Sequence, residues 1–175
     1  MDKKIMLEMC NNISKNTLIE TLNIKFIDIG EDFVTAKMPV NKSVYQPDGI
    51  LHGGATAALA ETVGSTAAFV LLKRKDIIVR GIEISTNHLK SISEGEVIAT
   101  AKPINLGRTI QLWDIKITNQ KDELISISKL TTYTRINKKW LKFFIYDLNL
   151  KTENWKLKTE NWKLKTENWK LKIEN

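Results

Sequence analysis

The chain predicts an α+β fold in which a curved antiparallel sheet wraps one long central helix. Three observations carry that expectation. Ala55 to Leu72 is small or aliphatic at nearly every position and lacks the polar stripe of a surface helix, so it reads as a helix buried on most sides. Two β-branched and aromatic runs precede it around a turn, and four more follow, joined by short turns. A sheet that curls about the helix accounts for a segment that is apolar all round.

Ile5 to Asn12 and Thr17 to Leu22 read as short amphipathic helices, with Ser14 to Asn16 as a break. Ile24 to Ile29 and Phe33 to Val40 flank Gly30-Glu31-Asp32 as a hairpin. Asn41 to Leu51, marked by Pro47 and Gly49, is a loop. The central helix follows and is closed by the charged run Lys73 to Asp76. The strands Ile77 to Leu89, Glu96 to Asn105, Thr109 to Asn119 and Leu124 to Arg135 come next. Their turns are Ser93-Glu94-Gly95, Leu106-Gly107-Arg108 and Gln120-Lys121-Asp122, short enough to predict a meander of antiparallel neighbours. Ile110, Leu112, Ile115 and Ile117 alternate with a break near Trp113-Asp114 that a bulge explains.

At 175 residues one core domain is expected, assigned to 1–137, with 138–150 as a connecting segment and 151–175 as a low-complexity tail. The net charge of +7 divides unevenly: residues 1–137 hold 17 Lys+Arg against 15 Asp+Glu, and residues 138–175 hold 10 against 5. The basicity sits mostly in the tail and gives the folded domain no nucleic-acid partner. The tail repeats Lys-Thr-Glu-Asn-Trp-Lys-Leu at 151–157, 158–164 and 165–171. Its Trp and Leu spacings fit neither a coiled-coil seam nor one face of a strand. That leaves a low-complexity appendage or, from its Trp and Lys content, a self-association or membrane-surface segment.

Cys10 is the lone cysteine, which excludes an intramolecular disulfide, and no Cys/His cluster has zinc spacing. A reducing, cytoplasmic compartment follows, with neither metal nor prosthetic group expected. The uncharged runs on either side of Glu61, Ile50 to Ala60 and Thr62 to Leu72, are eleven residues each. Spanning a bilayer needs about 20, so no membrane span is expected.

The chemistry gathers at Gln46-Pro47-Asp48-Gly49-Ile50-Leu51-His52-Gly53-Gly54 and the helix behind it. A carboxylate inside an apolar segment, as Glu61 is, is costly unless used or paired. Gly53-Gly54 brings a close-approach backbone to the helix start, where unpaired N–H groups and the dipole favour developing negative charge. Together they point to acyl chemistry. Eight residues separate Gly53 from Glu61, about 12 Å along a helix, so one helix does not bring both to one carbon. A two-fold dimer with antiparallel helices does, each site taking Gly53 from one subunit and Glu61 from the other.

The run from Gln46 to Ser65 resembles the signature of hotdog-fold acyl-CoA thioesterases, in the branch of the 1,4-dihydroxy-2-naphthoyl-CoA, 4-hydroxybenzoyl-CoA and phenylacetate-pathway enzymes. The resemblance continues through Gly81-Ile-Glu-Ile-Ser-Thr-Asn-His88-Leu-Lys90-Ser, Lys102-Pro-Ile-Asn-Leu-Gly107-Arg108 and Leu130-Thr-Thr, and is nearest the dihydroxynaphthoyl-CoA type. It implies that Glu61 is the catalytic carboxylate, as nucleophile or general base, and that the Gly53 amide polarises the thioester carbonyl. It implies that Gln46 and His52 orient substrate or water and that Ser65 lies near the acyl pocket. It places His88, Lys90, Ser91, Arg108 and Thr109 at the nucleotide end of coenzyme A. Arg80 stands where the pattern has an apolar residue.

Plainer roles exist for several of these residues. His52 is placed to cap the helix, His88 to make a structural hydrogen bond, and Lys90 and Arg108 to be solvated turn residues. The expected function is hydrolysis of an acyl-CoA thioester with an aromatic or bulky acyl group, by a homodimer or a dimer of dimers. The alternative is a non-catalytic acyl-CoA-binding module. Hydratase chemistry would need a His/Asp or His/Glu site that the spacing does not resemble.

Overall fold

The computed structural model describes residues 2–74 and 76–137. The expected connecting segment and repeat tail lie outside the described residues. The described residues up to Arg135 form one compact unit. In order along the chain come α1 (Lys3–Ile13), α2 (Leu18–Thr21), β1 (Lys25–Ile29), β2 (Val34–Pro39), a 3-10 turn (Lys42–Val44), α3 (Gly53–Leu71), β3 (Ile77–His88), β4 (Glu96–Leu106), β5 (Ile110–Asn119) and β6 (Leu124–Ile136).

One six-stranded sheet runs in the order β1-β2-β4-β5-β6-β3. β1 and β2 form the expected hairpin, and β4, β5 and β6 a three-strand meander. β3 departs from the four-strand meander that the short 93–95 turn suggested. The chain crosses after β3, β4 inserts beside β2, and β3 pairs with β6 at the far edge. Burial explains the placement. Val97, Ala99 and Ala101 of β4 are fully buried, as a central strand under a helix requires, whereas Gly81, Ile82, Glu83 and Ser85 of β3 are exposed. Contacts at Thr86–Ser128, Asn87–Ser126 and Leu89–Ile125 descend along β3 as they ascend along β6, so the two run antiparallel.

The break expected in β5 is absent. Gln111, Trp113, Ile115 and Ile117 alternate inward without interruption, and the register shift opposite them falls in β4 between Pro103 and Asn105. Ile110 and Leu112 therefore belong to the outer face, and the inner set includes a buried glutamine. Gln111 is fully satisfied: its Oε1 accepts from the Thr132 and Thr134 hydroxyls at 2.8 and 3.0 Å, and its Nε2 donates to the Gly107 carbonyl at 2.7 Å. The Trp113 indole N–H donates to the same Thr132 hydroxyl at 2.9 Å. A buried polar group left without such partners costs about 1–3 kcal/mol, so this network fixes the Gly107 turn relative to β6.

α3 packs one face on the sheet. Leu59, Ala60, Val63, Ala67 and Ala68 are fully buried there with Trp113, Ile115 and Leu130, and each large side chain so buried contributes about 1.5–3 kcal/mol. Burial on most sides was expected; one face stays open, where Gly54 and Glu61 are exposed and Ala58 and Ser65 half-buried. The sheet curls over only one side of the helix. By length and composition α3 is apolar enough to cross a membrane, but half of it is buried within the fold. The two sheet edges also differ. Asn11 of α1 pairs with the backbone of β1, its side chain donating to the Phe26 carbonyl and accepting from the Phe26 N–H, both at 3.0 Å. β3 has no such cover among the described residues.

Candidate active site

The loop before α3 is tied by a turn in which Gly49 N–H donates to the Gln46 carbonyl and Gln46 N–H to the Ile50 carbonyl, at 3.0 and 2.9 Å. Gly49 has φ +80°, a left-handed conformation that glycine adopts without strain. The loop delivers His52 as the N-cap of α3. Its Nδ1 accepts from the Gly54 N–H at 2.7 Å, so a neutral ring keeps Nε2 as its donor. The Ala55 and Thr56 amides donate to the His52 carbonyl. No described residue accepts from the Gly53 N–H, which leaves the first amide of a 19-residue helix free at its positive end.

Gly53 lines a cleft of ≈ 220 Å³ together with Gln46, Ile50, Leu51, Thr56, His88, Leu89, Lys90, Ser91, Ile92 and Ile125. His88, from the end of β3, lies directly over the helix start. A Cβ on residue 53 would come 2.7 Å from its Nε2, so only glycine admits the ring there. His88 Nδ1 sits 3.5 Å from the Ser126 hydroxyl, which itself donates to the Asn87 carbonyl at 2.9 Å. Lys90 Nζ reaches Glu123 at 3.4 Å. The Glu123 carboxyl is held below the usual carboxylate range, first by the hydrogen bond from the Asn119 amide and then by the Lys90 ammonium.

Five expected residues therefore meet in one cleft: Gln46, Gly53, His88, Lys90 and Ser91. The other five do not line it. His52 turns its ring back onto Gly54, the capping geometry. Glu61 and Ser65 lie farther along the open face of α3, and Glu61 is exposed where a buried acid was expected. Its carboxylate has neither a hydrogen bond nor an ion pair among the described residues, and it rests against Gly81 of β3.

Arg108 and Thr109 are exposed and dock on the opposite end of β6, where the Thr134 N–H donates to the Thr109 carbonyl at 2.7 Å. Lys90 docks at Ile125, nine residues earlier on the same strand, so the two groups stand about 30 Å apart. They do not serve one cleft of one chain. Continuing the β3–β6 register places Gly81 opposite Tyr133, so Glu61, Gly81, Arg108 and Thr109 share one end of the molecule. Gly53, His88, Lys90 and Ser91 share the other. Arg80, the residue out of pattern, is exposed and donates to its own strand's Val79 carbonyl.

The sequence reading missed Thr56, Gly81 and the apolar wall of Ile50, Leu89, Ile92 and Ile125. Thr56 follows the glycine pair on the inner helix face and was legible from the 3.6-residue period. The wall was not, because it converges from a loop and two strands. Among the described residues there is no group of three or more His, Cys, Asp or Glu that could hold a metal ion.

Residues 48–126 match the family model of the Thioesterase superfamily. A relative from Pasteurella multocida (strain Pm70) is 45% identical over 129 residues, 74% of this chain and 92% of that protein. The 1,4-dihydroxy-2-naphthoyl-CoA hydrolase of Escherichia coli (strain K12) is 41% identical over 130 residues, 74% of this chain and 95% of that enzyme. The crystal structure of a thioesterase from Haemophilus influenzae superposes with TM-score 0.73 at 41% identity, covering 75% of this chain and 91% of that one.

Proposed function

The chain belongs to the thioesterase superfamily, and on that premise we propose that it hydrolyses acyl-CoA thioesters bearing an aromatic or bulky acyl group, 1,4-dihydroxy-2-naphthoyl-CoA among them. The observation that carries the reading is the unpaired Gly53 amide, open to the cleft at the positive end of α3. A thioester carbonyl accepting that N–H gains stabilisation as its oxygen becomes an oxyanion, and such a donor is worth about 10²–10³ in rate.

The reaction needs a carboxylate that α3 holds about 12 Å farther along, beyond reach of the same carbonyl. A second copy supplies it. Gly54, Ala58 and Ser65 flank Glu61 on the open helix face, small enough for a second helix to approach, and the uncovered edge of β3 is a place for strand pairing. A two-fold axis between antiparallel α3 helices then brings Glu61, Arg108 and Thr109 of one subunit to the cleft of the other. A ≈ 220 Å³ cleft is small for an acyl-CoA, as expected of a site completed by its partner. Lys90 and Arg108, far apart in one chain, then approach the phosphates of one coenzyme A from two subunits.

The partner's carboxylate at position 61 acts in one of two ways. It attacks the thioester carbon to give a mixed anhydride that water cleaves, or it takes a proton from a water that attacks the carbon. In both, the tetrahedral intermediate collapses with cleavage of the C–S bond and the electron pair leaves on sulfur. The thiolate takes up a proton, so R–CO–S–CoA and water give R–COOH and CoA–SH. His52, with Nδ1 already engaged as acceptor, presents Nε2–H as a donor near the helix start. Gln46 orients substrate or water, and Ser65 lies one helical turn beyond the carboxylate beside the acyl group. No metal or prosthetic group enters these steps.

Thiol release from a panel of aromatic and aliphatic acyl-CoAs tests the reading. Cys10, the sole cysteine, is fully buried and burial pushes its thiol up, so the protein adds little background to a disulfide-exchange assay. Aromatic esters are expected to turn over fastest, and Glu61→Gln to lower kcat by about 10²–10⁴ with little change in KM. Binding of acyl-CoA without thiol release from any ester would favour the binding module instead.

A further inference from the structure

We propose that Gly81 is a positioning residue for Glu61: the missing side chain on β3 is the space in which the Glu61 carboxylate sits. This rests on the reading of Glu61 as the reacting carboxylate. Nothing else fixes that side chain, since no described residue hydrogen-bonds to it or pairs with it as an ion. A glutamate on an open helix face samples several rotamers unless packing removes some of them. Here the packing partner is the backbone of β3. A Cβ built on residue 81 would meet Glu61 Oε1 at 2.5 Å, Cδ at 3.3 Å and Cγ at 3.6 Å. The whole end of the side chain therefore lies along the glycine.

The backbone does not call for glycine at this position. The described glycines with positive φ are Gly49 and Gly95, so the conformation of residue 81 is open to any side chain. Nor does the fold require it, because the group that a methyl would strike is the carboxylate end of one exposed side chain. Gly81→Ala is consequently mild for the chain and specific for the carboxylate. To move from 2.5 Å to the 3.4 Å at which ordinary contact begins, Oε1 must shift by about 1 Å, a misplacement that can cost about 10²-fold in rate. Removing glycine from a strand interior is by itself neutral to slightly stabilising.

The test is a double-mutant cycle in the full chain, followed by kcat, KM, melting temperature and oligomeric state. Gly81→Ala is expected to lower kcat by about 10²-fold, leave KM for the acyl-CoA near its original value, and leave melting temperature and assembly unchanged. In a Glu61→Asp background the carboxylate is one methylene shorter and clears the new methyl, so the same substitution should cost no more than about threefold. Equal losses in both backgrounds would overturn the proposal, as would a kcat near that of the parent or a loss confined to assembly. Full hydrolysis by Glu61→Gln would instead remove the reading beneath it, and that variant is assayed separately.

Discussion

The two ends of the open face formed by α3 and β3 are built in contrasting ways. At the Gly53 end, the helix cap, the 46–50 turn, the His88 ring and the Lys90–Glu123 pair define a walled cleft inside one chain. Around Glu61, a charged group stands exposed beside small residues and an uncovered strand edge, with no partner among the described residues. The first half is assembled by local hydrogen bonds and the second by close packing alone. The contrast teaches that one chain carries two dissimilar halves, which the proposed dimer would bring together, the walled half of one copy with the bare half of another. The sheet edges repeat the lesson, since β1 is covered by Asn11 and β3 is left free.

The largest expected effect at the walled end comes from removing its free amide. His52 has φ −67° and ψ 131°, a conformation compatible with a following proline, and the first helical position tolerates proline well. Gly53→Pro deletes the N–H, while Gly53→Ala keeps it; both push against His88. The proline variant is expected to lose about 10²–10³ more in kcat than the alanine variant, measured with the best aromatic ester. Equal losses would mean that the His88 contact, and not the amide, is what the glycine protects.

A smaller effect sharpens the electrostatics of the same end. If Lys90 holds a substrate phosphate as proposed, Glu123 competes for it, and Glu123→Gln is expected to lower KM for acyl-CoA by about two- to fivefold, the range of an exposed ion pair. Its pH dependence has a definite sign. The folded-state carboxyl titrates below its ordinary value of 4.5, so it remains charged at neutral pH and its stabilising contacts are lost as pH falls through the lowered value. The KM difference between Glu123→Gln and its parent should therefore persist from pH 8 to about 5 and close only in more acid solution. A KM that rises in the variant would show that Glu123 orients Lys90 toward substrate instead of holding it back.

Much of the fold was legible in the sequence because it is local. The central helix, the first hairpin and the three-strand meander each follow from periodicity and turn residues, with boundaries within one or two positions of those observed. The failures were non-local. Ser93-Glu94-Gly95 looks like a hairpin turn, yet β4 pairs with β2, and β3, with Gly81, Ile82, Glu83 and Ser85 exposed, takes the far edge of the sheet beside β6. In β5, Ile110 and Leu112 suggested a bulge because a glutamine at 111 reads as outward-facing. The hydroxyls that satisfy it come from Thr132 and Thr134, about twenty residues downstream.

At the candidate site, Gln46, Gly53, His88, Lys90 and Ser91 come together from one contiguous loop and the end of one strand. Glu61, Ser65, Arg108 and Thr109 lie apart from them in a single chain, as the eight-residue helix spacing already required of Glu61. The burial expected of Glu61 was inferred from its neighbours in sequence, and those neighbours face the sheet while Glu61 faces out.

The most direct measurement is complementation between the two halves. Glu61→Gln and Gly53→Pro, each inactive alone, are co-expressed with different affinity tags and the mixed dimer is isolated. It contains one site with both substitutions and one with neither, so thiol release at about half the rate of the unsubstituted dimer is expected. A mixed dimer no more active than its parents would contradict a site shared between two subunits.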